Sequence, residues 1–514
     1  MKKITLFGGS GTMGFETFKH LWRRRQDCEI TLLLRPSKKN RKLFRPYIGK
    51  SKKDSLRIIW GDGTNYEDVK TAVKGTDYVL DAMAFISPQA DYYPERAKAV
   101  NIDCISNLIK AIGEEPDGNS RIKLAYTGTV AETGDRLPPI HWGRTGDPLK
   151  PSIFDFYAVT KIAGERLVLE SDIKHWASLR LTYIMPVSYK GLRALTDPIM
   201  FHMPLNSCME NISSRDAGLG MANVIDVPDN SGFWRKIYNM GGGPGMRITA
   251  HDFSNRMVKL FGGSGLKAVS DRRWFATGNF HMQYYADSFE LNKYLNYWHD
   301  SFESWINLIK KDMPGALKII SRVAGVSKNL SRRIDAETRK SYEALAKKHK
   351  NGTFFWRKTG NTKRLDAFYG GKDAWDALPG WDAPLPEMHQ GDSPSNLLNH
   401  GYDESKPSLG TDDLRQAADF RGGRCLTENW SGDMFEKIEW KCAFGHTFMA
   451  KPNTVLKGGH WCPECEAPDW DFKKIAGKNP FFNQVIEPFI DAIPAYPIKE
   501  SDLSDITPEE TAKN

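Results

Sequence analysis

The chain has 514 residues, 40% hydrophobic and 26% charged, a composition typical of a globular protein rather than a disordered one. At roughly 100 to 200 residues per domain, this length predicts two to four domains. No run of residues approaches the ~18 consecutive apolar positions of a membrane-spanning helix. The first apolar run also reaches Gly8 too early for a signal peptide. We therefore expect a cytosolic protein with no membrane partner.

The cysteines and the charges are both unevenly placed. Four of the seven cysteines fall within the last ninety residues, whereas the other three are isolated. This distribution is typical of a reduced chain with one metal site rather than of a disulfide framework. The formal net charge is +9, and residues 306–365 hold 16 Lys and Arg against 4 Asp and Glu. The rest of the chain is therefore slightly acidic.

The first 250 residues alternate short apolar runs with segments of helical periodicity. This alternation is typical of βαβ units and predicts an α/β fold with a doubly wound parallel sheet. The predicted strands cover residues 4–7, 30–34, 56–60, 78–84, 123–127, 177–183 and 237–240.

Two regions of different composition follow. Residues 251–350 have apolar residues at helical spacing, which predicts mainly helix with a break at Pro314-Gly315. Residues 351–420 are rich in Gly, Pro, Asp, Asn and Trp, which favours an irregular connector.

A glycine-rich loop joins the first predicted strand to the first helix. Its glycines allow a tight turn and a close approach of the helix N-terminus to a pyrophosphate. A side chain larger than hydrogen would hold the phosphates away. The pattern predicts a dinucleotide site, and the alternative is an ordinary βα turn. The predicted contacts are Gly8, Gly9, Ser10, Gly11, Thr12, Met13 and Gly14.

The residue after the second strand predicts which dinucleotide is preferred. Twenty-one residues after Gly14, where an acidic residue would bind a ribose 2′-OH, the chain has Arg35, followed by a basic stretch that includes Lys38. A guanidinium there suits a 2′-phosphate, and no carboxylate repels it. This pattern favours NADP(H) over NAD(H), and the alternative is a solvated basic loop.

A tyrosine and a lysine four residues apart form a candidate proton-transfer pair. Tyr157 and Lys161 would share one face of a helix, with the ammonium near the phenol. The pKa of a free phenol is about 10, and a neighbouring cation favours phenolate and brings that pKa closer to neutrality. The pair is a candidate general acid/base, and the alternative is a solvated helix face.

Together with the glycine loop, this pair resembles the short-chain dehydrogenase/reductase superfamily, specifically its extended branch, which includes nucleotide-sugar epimerases and dehydratases. The similarity covers about residues 1–310 and implies a Rossmann-type fold. Asp81 is an unusual residue in the strand that passes beneath the cofactor in this family. The resemblance implies further cofactor contacts at Asp62, Gly63, Ala82, Met83, Ala84, Asn101 and Pro186.

The resemblance also implies a mechanism and an assembly. Thr129, five residues before Gly134, takes the place of the family's catalytic Ser/Thr and would hydrogen-bond the substrate oxygen that Tyr157 protonates or deprotonates. Lys161 would tune Tyr157 and bind the nicotinamide ribose, while hydride moves between the nicotinamide and a substrate carbon. The Thr-Asp-Glu triplet of sugar dehydratases is absent, which argues against that reaction. The resemblance implies a homodimer formed through the helices that carry Asn101 and Tyr157.

The loop between Thr129 and Tyr157 is where the resembled family places substrate-facing residues. His141 and Arg144 are candidates to bind an acidic small-molecule substrate, and the tryptophan between them could stack on an aromatic one. The alternative is a loop held together by an Arg144–Asp147 pair.

Two pairs of metal-binding residues lie close together near the C-terminus. The pairs are Cys442 with His446 and, after fifteen further residues, Cys462 with Cys465. Three thiolates and an imidazole form the closed tetrahedral set that Zn²⁺ prefers, which predicts a structural ion. The surrounding residues resemble zinc-ribbon modules. Cys425 is left over, as a buried thiol or an alternative ligand, and His460 is a further candidate.

Two alternative functions stay open. One is a nucleotide-sugar epimerase that keeps NAD(H) bound. The other is a non-catalytic NADP-sensing regulator that binds nucleic acid through residues 306–365, which include an aromatic run, and through the zinc ribbon. Lysines at helical spacing beside an apolar stripe are more often a solvated face, so the sequence favours a small-molecule substrate over nucleic acid.

These patterns predict an NADP(H)-dependent oxidoreductase that acts on a carbonyl or alcohol carbon and carries a structural zinc ion. We expect a Rossmann-type domain with a smaller substrate-binding part at 1–310 and a basic helical extension with an irregular connector at 311–420. A zinc-ribbon module at 421–470 and a C-terminal tail at 471–514 complete the predicted order.

Overall fold

A seven-stranded parallel sheet forms the core of the N-terminal half. The structure, a computed structural model, describes residues 1–49, 55–193, 196–388, 394, 396–466 and 469–507. The strands are β1 (Lys2–Phe7), β2 (Cys28–Leu34), β3 (Leu56–Trp60), β4 (Tyr78–Asp81), β5 (Lys123–Thr129), β6 (His175–Leu181) and β7 (Lys236–Met240). Their order across the sheet is β7-β6-β5-β4-β1-β2-β3, all parallel. The order reverses between β1 and β4, which defines a Rossmann-type doubly wound fold.

The strands are apolar on both faces because helices cover both sides of the sheet. Leu6 and Leu80 enter one buried core, whereas Phe7 and Val79 enter the core on the opposite face. All seven predicted strands are present, with ends shifted by at most three residues. The helices of this part are α1 (Thr12–Arg23), α2 (Lys38–Phe44), α3 (Tyr66–Val73), α4 (Cys104–Glu114), α5 (Phe156–Leu169) and α6 (Ser214–Asn223).

Short strand pairs and three longer helices build a smaller part from segments between and after the last strands of the sheet. The pairs are Ile184–Met185 with Ile212–Ser213, Cys208–Glu210 with Arg247–Thr249, and Trp142–Gly143 with Tyr284–Tyr285. The helices are α7 (Ala250–Leu260), α8 (Ser288–Leu295) and α9 (Phe302–Asp312).

The basic region is helical, with the predicted break at Pro314. Its helices are α10 (Gly315–Ala324), α11 (Lys328–Lys348), α12 (Thr353–Thr359) and α13 (Thr362–Tyr369), and α14 (Thr411–Phe420) follows after a gap. The predicted irregular connector is therefore partly helical. Gly360 and Gly370 end α12 and α13 in the left-handed conformation, with φ of +70° and +73°. The glycines here end helices instead of forming an irregular connector. Trp356 of α12 and Leu365 of α13 are buried.

A small antiparallel sheet and a packed segment form the C-terminal part. The strands are β8 (Arg424–Cys425), β9 (Ile438–Lys441) and β10 (Thr447–Ala450). Their core includes Trp440, Trp461 and, from α14, Leu414. After it, Trp470 and Ile498 share a core with residues of the sheet domain.

The domain boundaries stay a prediction. In the described part of the chain, no helix has the length and apolar character needed to span a membrane.

Candidate active site

The predicted cofactor residues all lie where a doubly wound sheet binds its ligand, at or near the carboxyl ends of the strands. They follow β1 (Gly8, Gly9, Ser10, Gly11, Thr12, Met13, Gly14), β2 (Arg35, Lys38), β3 (Asp62, Gly63), β4 (Ala82, Met83, Ala84) and β6 (Pro186), with Asn101 just before α4. The fold thus brings together residues that lie up to 178 positions apart in the chain.

The glycine loop is shaped so that glycine is required at two positions. Gly8 has a φ of +71°, and a Cβ there would lie 2.3 Å from the backbone oxygen of Ala82. A Cβ at Gly14 would lie 2.2 Å from the backbone oxygen of Gly8. The first turn of α1 carries no acidic residue, so its N-terminus attracts an anion without a competing carboxylate. The loop therefore fits a pyrophosphate.

The loop after β2 presents two exposed cations. Ser37 caps α2, and the carbonyl of Arg35 accepts hydrogen bonds from the Ser37 amide and from the Asn40 side chain, at 2.8 and 2.9 Å. These bonds fix the backbone while the Arg35 and Lys38 side chains remain exposed. The arrangement leaves both cations accessible to a phosphate group.

Asn101 holds the loop after β4 against the helix that carries Tyr157. Its amide oxygen accepts the Phe85 N–H at 2.8 Å, and its amide nitrogen donates to the Phe85 carbonyl at 3.0 Å and to the Thr160 hydroxyl at 2.9 Å. Asn101 is buried. It therefore acts on the position of the loop and of α5.

The predicted catalytic threonine and tyrosine are brought together by β5 and α5. Thr129 ends β5 and Tyr157 lies in the first turn of α5, close enough for the Thr129 side chain to lower the pKa of the phenol. The Asp155 side chain accepts the Ala158 N–H at 3.0 Å and caps α5. The Thr129 N–H donates to Glu132 at 3.1 Å. Both reacting hydroxyls are thus fixed at helix or strand ends.

The pKa of Tyr157 is raised above its usual value, whereas the sequence predicts that a neighbouring cation lowers it. Burial raises it, against the hydrogen bond from Thr129, and the charges of Glu132 and Asp155 raise it further. Lys161 is not among the groups that lower it, and the Lys161 ammonium donates to the Thr127 carbonyl at 2.6 Å. In this state Tyr157 is a protonated phenol at neutral pH.

Lys161 lies in a fully buried site opposite an acidic residue. Its ammonium is 4.1 Å from the centre of the Tyr126 ring. Burial lowers the pKa of Lys161, and the charge of Asp81 is the largest effect that opposes this. Burial raises the pKa of Asp81 to about 6, against the charge of Lys161. Asp81, noted as unusual in the sequence, therefore helps to keep this lysine charged.

A buried ionic cluster lies behind Thr129 and α5. Arg180 pairs with Glu165 at 2.5 Å and approaches Glu132 at 3.2 Å, and all three side chains are fully buried. His460 approaches the same Glu165 carboxylate oxygen at 3.0 Å. Burial would raise the pKa of Glu165, but Arg180 and His460 hold it well below its usual value. Burial and the charge of Glu165 raise the pKa of Glu132 well above its usual value.

Sequence reasoning did not identify this cluster. The partners Glu165 and His460 are 295 residues apart, and no local pattern connects them. The one available indication was the charged character of residues on otherwise apolar elements, Arg180 on β6 and Glu165 on α5.

A polar cavity lies at the N-terminal end of α5. Its lining includes Asp91, Asp155 and His281, and His281 lies 2.7 Å from the Asp155 carboxylate. Burial, and then the charge of Asp155, raises the pKa of Asp91 to about 7. The buried hydroxyl of Ser152 lies on the same wall without a hydrogen-bond partner among the described residues. Sequence reasoning missed this cavity because its residues come from separate loops.

The predicted substrate residues make contacts with other parts of the same chain. His141 is fully buried, and its carbonyl accepts the Tyr284 N–H at 2.9 Å. Arg144 is half-buried and donates to Glu404 at 2.7 Å, and it lies 3.9 Å from Asp147. The structure therefore places Arg144 in contacts within the chain, and its substrate role stays a prediction.

The four predicted metal ligands converge near the C-terminus. The ligand atoms of Cys442, His446, Cys462 and Cys465 all lie within 4.8 Å of one another. The Cys442 and Cys465 sulfurs are 3.8 Å apart, and the His446 Nδ1 is 3.4 Å from the Cys462 sulfur and 3.5 Å from that of Cys465. A tetrahedral ion with Zn–S of about 2.3 Å and Zn–N of about 2.0 Å requires separations of about 3.8 and 3.5 Å. The donor set and its spacing therefore fit Zn²⁺.

The two other candidate ligands lie outside this cluster. Cys425 is half-buried, with its sulfur 3.8 Å from the Thr427 carbonyl. His460 is turned toward Glu165 instead. The His446 Nε2 lies 3.6 Å from Glu464, a carboxylate placed to orient the ring.

The strand order and the glycine loop define a Rossmann-type dinucleotide-binding domain. Residues 4–196 match the NAD dependent epimerase/dehydratase family. The match covers less than half of the chain, and this part of the chain is similar to that enzyme family.

Known proteins are similar to parts of the chain. The 3-beta-hydroxysteroid dehydrogenase of Mycolicibacterium neoaurum is 27% identical over 175 residues, which cover 32% of this chain and 42% of that protein. The match thus spans about two fifths of the length of this curated relative. The dTDP-glucose 4,6-dehydratase from Bacillus anthracis, in complex with NAD, is 14% identical with a TM-score of 0.46, covering 65% of this chain and 100% of the other. The UDP-glucose 4-epimerase from Thermus thermophilus, in complex with NAD, is 18% identical with a TM-score of 0.46, covering 61% and 99%.

Proposed function

We propose that this protein is an NADP(H)-dependent oxidoreductase that reduces a carbonyl or oxidises an alcohol on a small molecule in the cytosol. The observation that carries the proposal is the junction of β5 and α5, which brings Thr129 and Tyr157 together at the same sheet edge as the glycine loop. A bound nicotinamide supplies the hydride chemistry.

In this proposal, Tyr157 and Thr129 handle the proton at the substrate oxygen. Tyr157 is protonated at neutral pH, which suits a phenol that donates to a carbonyl oxygen as it gains negative charge. Thr129 hydrogen-bonds that oxygen and holds it beside the phenol. Lys161, kept charged by Asp81, places a cation behind them.

The direct test is NADPH oxidation with a panel of aldehydes and ketones that includes acidic and aromatic members. We expect net oxidation with at least one carbonyl. Cofactor that copurifies with the protein and shows no net turnover with any substrate would instead indicate an epimerase. Absence of binding of either nicotinamide cofactor would refute the proposal.

The preference for NADP(H) is assigned to Arg35, because its exposed guanidinium can pair with a 2′-phosphate. Arg35→Ala should weaken NADPH binding about tenfold or more, the range of a charge-assisted hydrogen bond, and leave NADH binding nearly unchanged. Calorimetric titration with both cofactors measures this. Arg45→Ala, in the exposed residue that follows α2, serves as the charge-matched control. Equal losses for both cofactors would contradict the assignment.

We also propose that Cys442, His446, Cys462 and Cys465 hold a structural zinc ion. The closed donor set and its tetrahedral spacing support this, since no ligand position is left for a substrate. Metal analysis should find one zinc per chain in the purified protein and in Cys425→Ser, and much less in Cys442→Ser. A zinc content that depends on Cys425 would contradict this ligand set.

A further inference from the structure

Helix α5, which carries Tyr157 and Lys161, is covered on every side by its own chain. None of its fourteen residues is exposed, and only Tyr157, Ala163, Arg166 and Leu167 are half-buried. Helix α4 differs, because it keeps an exposed polar face that includes Ser106 and Lys110. The surface of α5 is therefore in contact with other parts of the chain, whereas one face of α4 is open to solvent.

The cover of the C-terminal half of α5 is the Cys/His knuckle, here meaning residues 442–466. Arg166 donates to the Trp461 carbonyl at 2.6 Å and pairs with Glu466 at 2.8 Å. His460 contacts Glu165 on the preceding position of the helix at 3.0 Å. The knuckle therefore contacts adjacent charged positions of α5.

The end of α5 is held by one further cation of the knuckle. The Lys451 ammonium donates to the carbonyls of Leu169 and Ser171, at 3.0 and 2.6 Å. These carbonyls have no intrahelical partner, because they lie at or just beyond the helix C-terminus. A cation there also interacts favourably with the helix dipole.

The same knuckle reaches the predicted catalytic threonine through buried groups. Arg180 donates to the Gly458 carbonyl at 2.7 Å and approaches Glu132 at 3.2 Å. Glu132 in turn accepts the Thr129 N–H at 3.1 Å. One buried path thus connects the knuckle backbone with Thr129.

The docking residues of the knuckle lie next to its metal ligands. His460 and Trp461 directly precede Cys462, and Glu466 directly follows Cys465. An ion bound by the two cysteines fixes the short turn between them. Ligation therefore sets the positions of the groups that contact α5.

We propose that the metal-held knuckle is a positioning clamp for α5, so that the placement of Tyr157 and Thr129 depends on His460, Trp461 and Glu466. The clamp contacts a helix that the family resemblance assigns to a dimer interface. Its effect on turnover rests on the proposed function, whereas its effect on the mobility of α5 does not.

The first experiment removes the metal from the full-length protein with a chelator and follows amide hydrogen exchange. We expect exchange to rise by roughly tenfold or more in peptides covering 129–135 and 156–169. The reason is that the charge-assisted hydrogen bonds between the knuckle and α5 are lost, and each such bond stabilises by an amount that corresponds to about a tenfold change. Peptides covering 2–23 should be unchanged. Faster exchange confined to 438–466 would overturn the clamp.

The second experiment separates docking from metal binding. Arg166→Met removes the contacts with Trp461 and Glu466, and Arg415→Met removes an exposed pair with Asp412 in α14 and serves as the control. We expect both variants to retain metal, and only Arg166→Met to show faster exchange in 156–169, partly restored by Arg166→Lys. Wild-type exchange in Arg166→Met would overturn the proposal.

If a substrate has been found, kinetics give an independent readout. Arg166→Met should lower kcat, because the placement of Tyr157 depends on α5, and Arg166→Lys should partly restore it. If no substrate turns over in the wild type either, the proposed function fails and the exchange result still decides the clamp.

Discussion

Burial decides the protonation states of the side chains around the candidate site. The phenol of Tyr157 and the carboxyls of Asp81 and Asp91 all have raised pKa values, and burial is the largest cause of each. The spacing of Tyr157 and Lys161 predicted the reverse for the tyrosine, because spacing carries no information on how deeply the pair is buried. Of these groups, the phenol of Tyr157 is the proposed proton donor, and it is protonated at neutral pH.

Replacing the phenol tests the proton donor. Tyr157→Phe should reduce turnover by about a hundredfold or more, the contribution of a general acid, and leave cofactor affinity nearly intact. Steady-state kinetics and cofactor titration measure the two effects. Unchanged turnover would refute the assignment.

The raised pKa of Tyr157 predicts how the rate of carbonyl reduction depends on pH. An acid whose pKa is raised works below that pKa and fails as the pH rises through it. Carbonyl reduction should therefore show no loss from Tyr157 up to at least pH ~10, the value of a free phenol. A decline attributable to Tyr157 near neutrality would mean that a bound cofactor lowers its pKa.

The raised pKa of Asp91 predicts how the stability of the protein changes with pH. Its pKa is about 7 in the folded chain and about 4 when unfolded, so the folded state binds its proton more tightly. Stability is therefore lost as the pH rises between these values. Asp91→Asn keeps the acceptor for the Phe156 N–H and should gain a few kcal/mol at pH 8 but not at pH 4. Chemical denaturation at both pH values measures this, and equal effects at both would contradict it.

At the scale of elements, the sequence was informative wherever a local period exists. The seven strands and the loop from Gly8 to Gly14 follow from alternating patterns and glycine spacing. The helices α12 and α13 were missed, because Gly360 and Gly370 were interpreted as a connector rather than as helix ends. The contact of His460 with Glu165 could not be predicted, since it depends on how two distant segments pack.

The N-terminal cap of α5 is a prediction at this scale. Asp155→Ala removes the bond to the Ala158 N–H and the partner of His281, and should lower the free energy of unfolding by about 1–2 kcal/mol. Asp155→Asn retains the cap and should lose less. Denaturant unfolding of metal-replete protein measures both, and equal losses would show that the His281 contact dominates.

At the scale of the whole molecule, the cover on α5 predicts the assembly state. The resemblance implies a dimer through α4 and α5, but α5 is already covered by its own chain, with the knuckle on its C-terminal half. Light scattering should therefore give a mass of 58.2 kDa for the metal-replete chain. A stable dimer with cross-links at α5 would contradict this.

The buried pair of Glu165 and Arg180 also determines how the protein can be dissected. A fragment that ends before the knuckle would keep both charges but lose His460 and the Gly458 carbonyl, which satisfy them. Uncompensated buried charges are among the most destabilising defects a core can carry. We therefore expect the dinucleotide domain not to fold when separated from the knuckle, so that a stable fragment must extend beyond the last cysteine ligand.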